Sequence, residues 1–165
     1  MSLYKLEPEV AEVLFERLND EYTAFYFYRN AANWCKNMGF TGGAKYFSGE
    51  AASEIEHAKS IEKYLTDWNI MPELKPIEKP ESFSGLQDII EKAYELEYDL
   101  CDEYKKAATL FMQNNLNTFT FIQEYIKIQN DSVAEYSDLL NQLALINPMN
   151  KFELFYFDKK VLAKL

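Results

Sequence analysis

The sequence predicts an all-α protein: a four-helix bundle with one long crossover between its second and third helices, and a short fifth helix at the end. Three observations carry that expectation. Gly and Pro are few, five of each, and they cluster. The stretches between the clusters run to roughly 27 to 30 residues, the length of long helices. Within each stretch apolar residues recur every three or four positions, the mark of a helix with one buried face.

Pro8 stands near the start, and the first helix is expected over about 9–37, closed by the turn "NMGFTGG" from Asn37 to Gly43. The second is expected over about 42–68. The stretch "NIMPELKPIEKPESFSG", Asn69 to Gly85, carries Pro72, Pro76 and Pro80 and reads as a long connection. A third helix over about 85–112 leads to the turn "QNNLN", Gln113 to Asn117, and a fourth over about 117–145 leads to "INPMN", Ile146 to Asn150. The tail from Lys151 to Leu165 supplies the fifth helix, about 150–163.

At 1.5 Å per residue each long helix spans roughly 40 Å. If the second and third helices run parallel, their link must travel the length of the bundle. About 16 residues at up to ~3.3 Å each reach some 50 Å, which is enough. An up-down-up-down bundle needs no such link, so one long crossover is the topology expected. At 165 residues and 19.4 kDa the chain, residues 1–165, is expected to form a single domain, with the bundle over about 9–145.

The seams of these helices carry the chemistry. Ala11, Leu14, Leu18, Glu21, Phe25, Tyr28, Ala32 and Cys35 step by three and four along the first. Ala44, Phe47, Ala51, Glu54, Ala58, Ile61, Leu65 and Trp68 do so along the second. Leu86, Ile90, Ala93, Glu97, Leu100, Tyr104, Ala107 and Phe111 mark the third, and Phe119, Ile122, Ile126, Gln129, Val133, Tyr136, Leu140 and Leu143 the fourth. Each seam holds one carboxylate or amide, within about two positions of the helix midpoint. Side-by-side packing brings the midpoints to one level, so Glu21, Glu54, Glu97 and Gln129 converge in the core. His57, the only histidine, lies one turn from Glu54 in "EIEHAK" and joins them.

Three buried carboxylates repel one another and lose hydration unless they protonate, pair or bind cations. A bland reading is a polar network with Arg17 or Lys127 folded in as counterion, since buried charges also specify register. The other is a pair of divalent ions. Carboxylate oxygens with one imidazole suit iron or manganese better than soft-ligand metals. Composition narrows the rest. Apolar residues make up 48% and charged residues 27%, as in a globular chain. The net charge of −10 argues against nucleic acid or an anionic membrane as partner. No apolar run approaches the ~18 residues of a membrane span, and "MSLYKLEPEV" does not read as a signal peptide. Cys35 and Cys101 match no zinc or redox spacing and read as buried thiols. A cytoplasmic protein is the expectation.

Across nearly its whole length the chain resembles the ferritin family, in its bacterial non-haem branch. Glu21 in "NDEYTAFYFY" with Tyr28 seven residues on, "EIEHA", Glu97 in "YELEYDL" and Gln129 in "IKIQND" are similar to the ligand set of a di-iron ferroxidase centre like that of animal heavy chains. The tail "LFYFDKKVLAKL" is similar to that branch's fifth helix. The resemblance implies iron storage and detoxification: Fe(II) oxidised by dioxygen or peroxide and deposited inside a homo-oligomeric shell, a 24-mer, with no haem. It implies that Glu21 and His57 hold one iron, Glu97 the other, that Glu54 bridges, that Gln129 orients bound water or dioxygen, and that Tyr28 acts beside the metals or simply packs.

The sequence departs from the family elsewhere. The positions of a third iron site are Ser53, Ile128, Asp131 and Ser132, so that site is expected to be absent or very weak. The positions of the acidic three-fold pore of animal members are Phe119 and Ile122. Glu56 stands as a candidate nucleation carboxylate, with Lys59 following it where acid is common. The single histidine excludes families built on two Glu-x-x-His motifs. A non-catalytic shell subunit with weak metal binding, and a structural bundle with a satisfied polar core, are the remaining alternatives.

Overall fold

The computed structural model describes residues 1–165. Five helices follow one another with no strand: α1 (Pro8–Met38), α2 (Thr41–Asp67), α3 (Leu86–Asn114), α4 (Leu116–Leu143) and α5 (Lys151–Lys160), then a single 3-10 turn over Leu162–Lys164. The long helices match the expected spans to within a few residues. The fifth ends sooner than expected, at Lys160 rather than about 163, because the chain tightens into the 3-10 turn that seats Leu162 in the core.

Local chemistry sets most helix ends. Pro8 opens α1 in its first turn, where the missing N–H costs nothing. Gly39, at φ 88°, closes it in the left-handed region, and the Phe40 N–H reaches back to the Cys35 carbonyl at 2.8 Å. Asn115 caps α4 by accepting from the Thr118 N–H at 3.0 Å. Asn150 caps α5 through the N–H groups of Phe152 and Glu153 at 3.0 and 3.2 Å.

The helix α2 has no cap from its own segment. Asp158 of α5, fully buried, supplies one, accepting from the Gly42 N–H at 3.1 Å and the Gly43 N–H at 2.6 Å. A carboxylate at a helix N-terminus also meets the positive end of its dipole. The fit leaves no room at Gly42, where a Cβ would overlap the Asp158 carbonyl oxygen.

The crossover can be followed along α1. The end of α2 meets the start of the chain, where Trp68 packs on Tyr4 at 4.8 Å and Asn69 bonds the Tyr4 carbonyl at 3.0 Å. Lys75 then pairs with Glu12 at 3.5 Å, Glu81 accepts from Asn30 at 3.0 Å, and Phe83 packs on Phe27. The link thus travels most of the length of α1 before α3 begins. At the far end of α3, Asn115 bonds Glu7 at 2.8 Å, back beside the start of α1. So α2 and α3 run parallel, α1 pairs with α2, and α3 pairs with α4.

The core divides into two apolar clusters, one around Tyr28, Phe47, Ile90 and Tyr136, the other around Leu14, Leu18, Ile61, Tyr104 and Phe111. On α1 the boundary falls between Leu18 and Ala24, on α2 between Ala51 and Ala58, and on α4 between Tyr125 and Tyr136. Those gaps hold Glu21, Glu54 and Gln129. The seam of α3 is buried throughout as predicted. That of α4 is shifted: Tyr125 and Leu139 are buried, whereas Phe119, Ile126, Val133 and Leu140 are half-buried. Several apolar stripes compete on this helix, and packing on α3 selects the one that carries Tyr125. Both cysteines are buried and unpaired.

The Asp158 cap yields a prediction. Asp158→Ala leaves two N–H groups of α2 without their acceptor and should lower stability by about 1–2 kcal/mol. Urea unfolding at neutral pH checks it, and an unchanged midpoint would remove the cap from the account.

Candidate metal centre

Four helices bring the predicted polar residues together at mid-bundle. Glu21, Glu54, Glu97 and Gln129 are buried, and His57 keeps 19% of its side chain exposed. His57 Nδ1 lies 3.1 Å from Glu54 Oε2 and 3.4 Å from Glu21 Oε2. One ligand atom from each of these three residues falls within 4.8 Å of the others. Glu97 stands across the bundle with both oxygens engaged: Tyr28 donates to Oε1, and the Gln129 amide donates to Oε2 at 2.7 Å.

Glu21 differs from Glu97 in one respect. Tyr104 donates to its Oε1, while its Oε2, fully buried, has no hydrogen-bond partner. Two tyrosines therefore serve two carboxylates reciprocally. Tyr28, seven residues after Glu21 on α1, bonds Glu97 of α3. Tyr104, seven residues after Glu97 on α3, bonds Glu21 of α1. Seven residues are two helical turns, and α1 and α3 run in opposite directions, so each helix reaches its partner's carboxylate. Sequence reasoning counted Tyr104 as packing. The signal was its matching spacing from a seam glutamate. Tyr125 was missed too: its ring stacks on Tyr104 at 5.1 Å, and its hydroxyl donates to the His57 carbonyl at 2.9 Å.

Neither cation of the bland reading enters the cluster. Arg17 is buried but pairs with Asp20 at 2.8 Å and Glu103 at 3.3 Å, and Lys127 is exposed. His57 is left as the one cationic partner the carboxylates have. Burial pushes Glu54 well above the usual carboxylate range, opposed by its bond to His57 and aided by the charge of Glu21. Burial likewise raises Glu97, against the bonds from Tyr28 and Gln129. Burial raises Glu21 as well, but its interactions with His57, Glu54 and Tyr104 outweigh that, and its net direction is down. Burial pulls His57 down, yet Glu21 and Glu54 lift it to about 10. A divalent cation would relieve this strain. The donor set, hard oxygens with one imidazole, fits iron or manganese.

Outside the cluster the other predicted positions do not converge on a comparable site. Ser53 and Asp131 are exposed, and Ile128 and Ser132 are half-buried. Glu56 pairs with Lys59 at 2.9 Å on the surface. Ile122 is fully buried in the core rather than lining an opening.

The fold and the cluster define a class, the four-helix bundles that carry carboxylates and histidine between their helices. Residues 11–146 match the model of the ferritin family, described as a ferritin-like domain. The chain belongs to the ferritin family. It is 27% identical over 158 residues to a bacterial non-heme ferritin of Escherichia coli O6:H1, covering 94% of this chain and 95% of that one. It is 28% identical over 143 residues to a bacterial non-heme ferritin of Campylobacter jejuni, covering 86% of each. Among solved structures, an open-pore ferritin from Archaeoglobus fulgidus superposes with a TM-score of 0.90 at 22% identity, over 96% of each chain, a likeness of fold. No helix is long and apolar enough to cross a membrane.

One turn before Glu54, Glu50 accepts from the Tyr136 hydroxyl at 3.3 Å, and burial, with the charges of Glu135 and Glu97, pushes it up to about 7. A carboxyl raised on folding binds its proton more tightly in the native state. Its contribution to stability is complete below the ordinary value of 4.5 and is lost as pH rises through about 7. Glu50→Gln should therefore flatten the fall in stability between about pH 5 and pH 8 by about 2 kcal/mol relative to wild type. Urea unfolding of the metal-free protein across that range measures the difference, and parallel profiles would contradict it.

Proposed function

We propose that this chain is an iron-storage subunit that oxidises Fe(II) at its interior centre. The observation that carries the reading is the Glu21, Glu54 and His57 cluster, with a fully buried Glu21 oxygen that has no hydrogen bond and only the His57 ring nitrogen beside it, at 3.4 Å. Native structures rarely leave such an atom unpartnered, and a cation is the partner this donor set accepts. Family membership and the names of the non-heme relatives supply the metal.

In this reading Glu21 and His57 hold the first Fe(II), Glu97 the second, and Glu54 bridges them. Gln129 holds Glu97 in place through its amide and orients water or dioxygen. Tyr28 fixes the other Glu97 oxygen. Two Fe(II) ions together supply two electrons. These reduce dioxygen, with two protons, to hydrogen peroxide, or reduce hydrogen peroxide, with two protons, to two waters. The protein's part is to hold both ions at fixed charge and geometry. The ferric product passes to the interior of a homo-oligomeric shell, which the resemblance makes a 24-mer. With Asp131 the one carboxylate among Ser53, Ile128, Asp131 and Ser132 at the positions of a third site, iron leaving the centre meets at most a weak site there.

The test is aerobic oxidation of two Fe(II) per subunit followed by absorbance. Wild type should oxidise iron far faster than buffer, and Glu97→Ala should fall to the buffer rate. Gln129→Ala, which removes an outer hydrogen bond to a ligand, should slow oxidation by about 10–100-fold. Equal, buffer-like rates in all three would leave a shell subunit without catalysis.

A further inference from the structure

Tyr104 lies fully buried in the apolar cluster of Leu14, Leu18, Ile61 and Phe111. Such surroundings ask for a ring, and phenylalanine would supply it. A buried hydroxyl is costly unless it is bonded, and this one donates across the bundle, from α3 to Glu21 Oε1 on α1. The ring behind the bond is held in turn. Tyr125 of α4 stacks on it with centroids 5.1 Å apart and planes at 23°, and meets the His57 ring edge to face at 5.9 Å. The Tyr125 hydroxyl is itself tied to the His57 carbonyl at 2.9 Å. The two phenols therefore touch both Glu21 and His57, the residues that hold the first ion in the ferroxidase reading.

We infer that Tyr104, braced by Tyr125, is a positioning residue for that ion: it fixes Oε1 of Glu21 and so sets Oε2 as the oxygen this carboxylate presents beside His57 and Glu54. The inference rests on the ferroxidase reading for Glu21 as a ligand. A glutamate turns about three side-chain torsions, and one that is free loses this freedom when it captures a cation. Glu21 has lost it already on folding. Its Oε2 waits 3.4 Å from His57 Nδ1, fully buried and without a hydrogen bond. Ligands fixed in advance bind more tightly, because little ordering remains to be done.

The effect is confined to one ion. Both oxygens of Glu97 have donors of their own, Tyr28 and Gln129, and neither Tyr104 nor Tyr125 is among them. Other phenols serve carboxylates outside the centre: Tyr136 donates to Glu50 at 3.3 Å and Tyr46 to Glu135 at 2.6 Å. Tyr136 is as deeply buried as Tyr104. Removing its hydroxyl disturbs the core in a comparable way but takes no bond from Glu21 or His57.

The experiment titrates the assembled, metal-free protein with Co(II) under anaerobic conditions, following both the heat of binding and the visible bands of the bound ion. In Tyr104→Phe, which keeps the ring, the first Co(II) should bind about 10–100-fold more weakly than in wild type. Its bands should also change in position and intensity, because Glu21 is then free to turn. Tyr136→Phe should reproduce the wild-type affinity and bands. Tyr125→Phe frees the outer end of the brace and leaves the Glu21 bond in place, so it should weaken the first ion by a smaller factor. A helical Tyr104→Phe protein with wild-type affinity and bands would overturn the inference, and so would equal losses in Tyr104→Phe and Tyr136→Phe. If Tyr104→Phe does not keep its helices, wild-type behaviour of Tyr125→Phe overturns it instead. Each of these results leaves the ferroxidase reading standing. A wild type that binds no Co(II) would remove both.

Discussion

Burying three carboxylates at one level of a helical bundle is the constraint around which the molecule is arranged. Each anion would cost several kcal/mol in such a place without a partner. The protein meets part of that cost with neutral donors, Tyr104 on Glu21 and Tyr28 and Gln129 on Glu97, and part with the His57 ring shared between Glu21 and Glu54. It stops short of full satisfaction at Glu21 Oε2. A bundle selected only for stability would fill that gap with a lysine or an apolar side chain. Here the nearest buried cation, Arg17, is committed to Asp20 and Glu103.

The rest of the fold follows from keeping four polar side chains level. The antiparallel α1 and α3 each carry a glutamate followed two turns later by a tyrosine, and the pairs interlock. That register depends on α3 running parallel to α2, hence on a crossover laid along α1. At the other end of the bundle, Asp158 ties the short α5 to the first turn of α2, the helix that carries both Glu54 and His57. The tail is thus more than a cover. Its buried face seats Phe157 and Leu162, while Phe152, Phe155 and Tyr156 remain exposed on the other.

Much of this was legible in the sequence, and the failures have physical causes. Helix number, crossover and the convergence of Glu21, Glu54, His57, Glu97 and Gln129 follow from breaker positions and a period of three to four. The stripe on α4 held at Ile122, Gln129, Tyr136 and Leu143 but was misplaced between them, because Tyr125 and Ile126, like Leu139 and Leu140, are apolar neighbours, and only the packing partner decides between them. Tyr104, Tyr136 and Tyr46 were unremarkable among 12 tyrosines and 12 phenylalanines. A phenol becomes informative only when the acceptor of its hydroxyl is known, and those acceptors sit on other helices. The Asp158 cap joins residues 116 positions apart in the chain, beyond any local pattern.

The central claim is that the buried carboxylates form a place for two metal ions. Anaerobic titration with Co(II), read by its visible absorption, tests it without any oxidation chemistry. The account predicts intense bands of low-coordinate Co(II) that saturate at about two ions per subunit and are lost in Glu54→Ala, because the proposed function makes that residue the bridge between the two ions. Spectra indistinguishable from hexaaqua Co(II), or unchanged by Glu54→Ala, would contradict it and make the cluster a polar core.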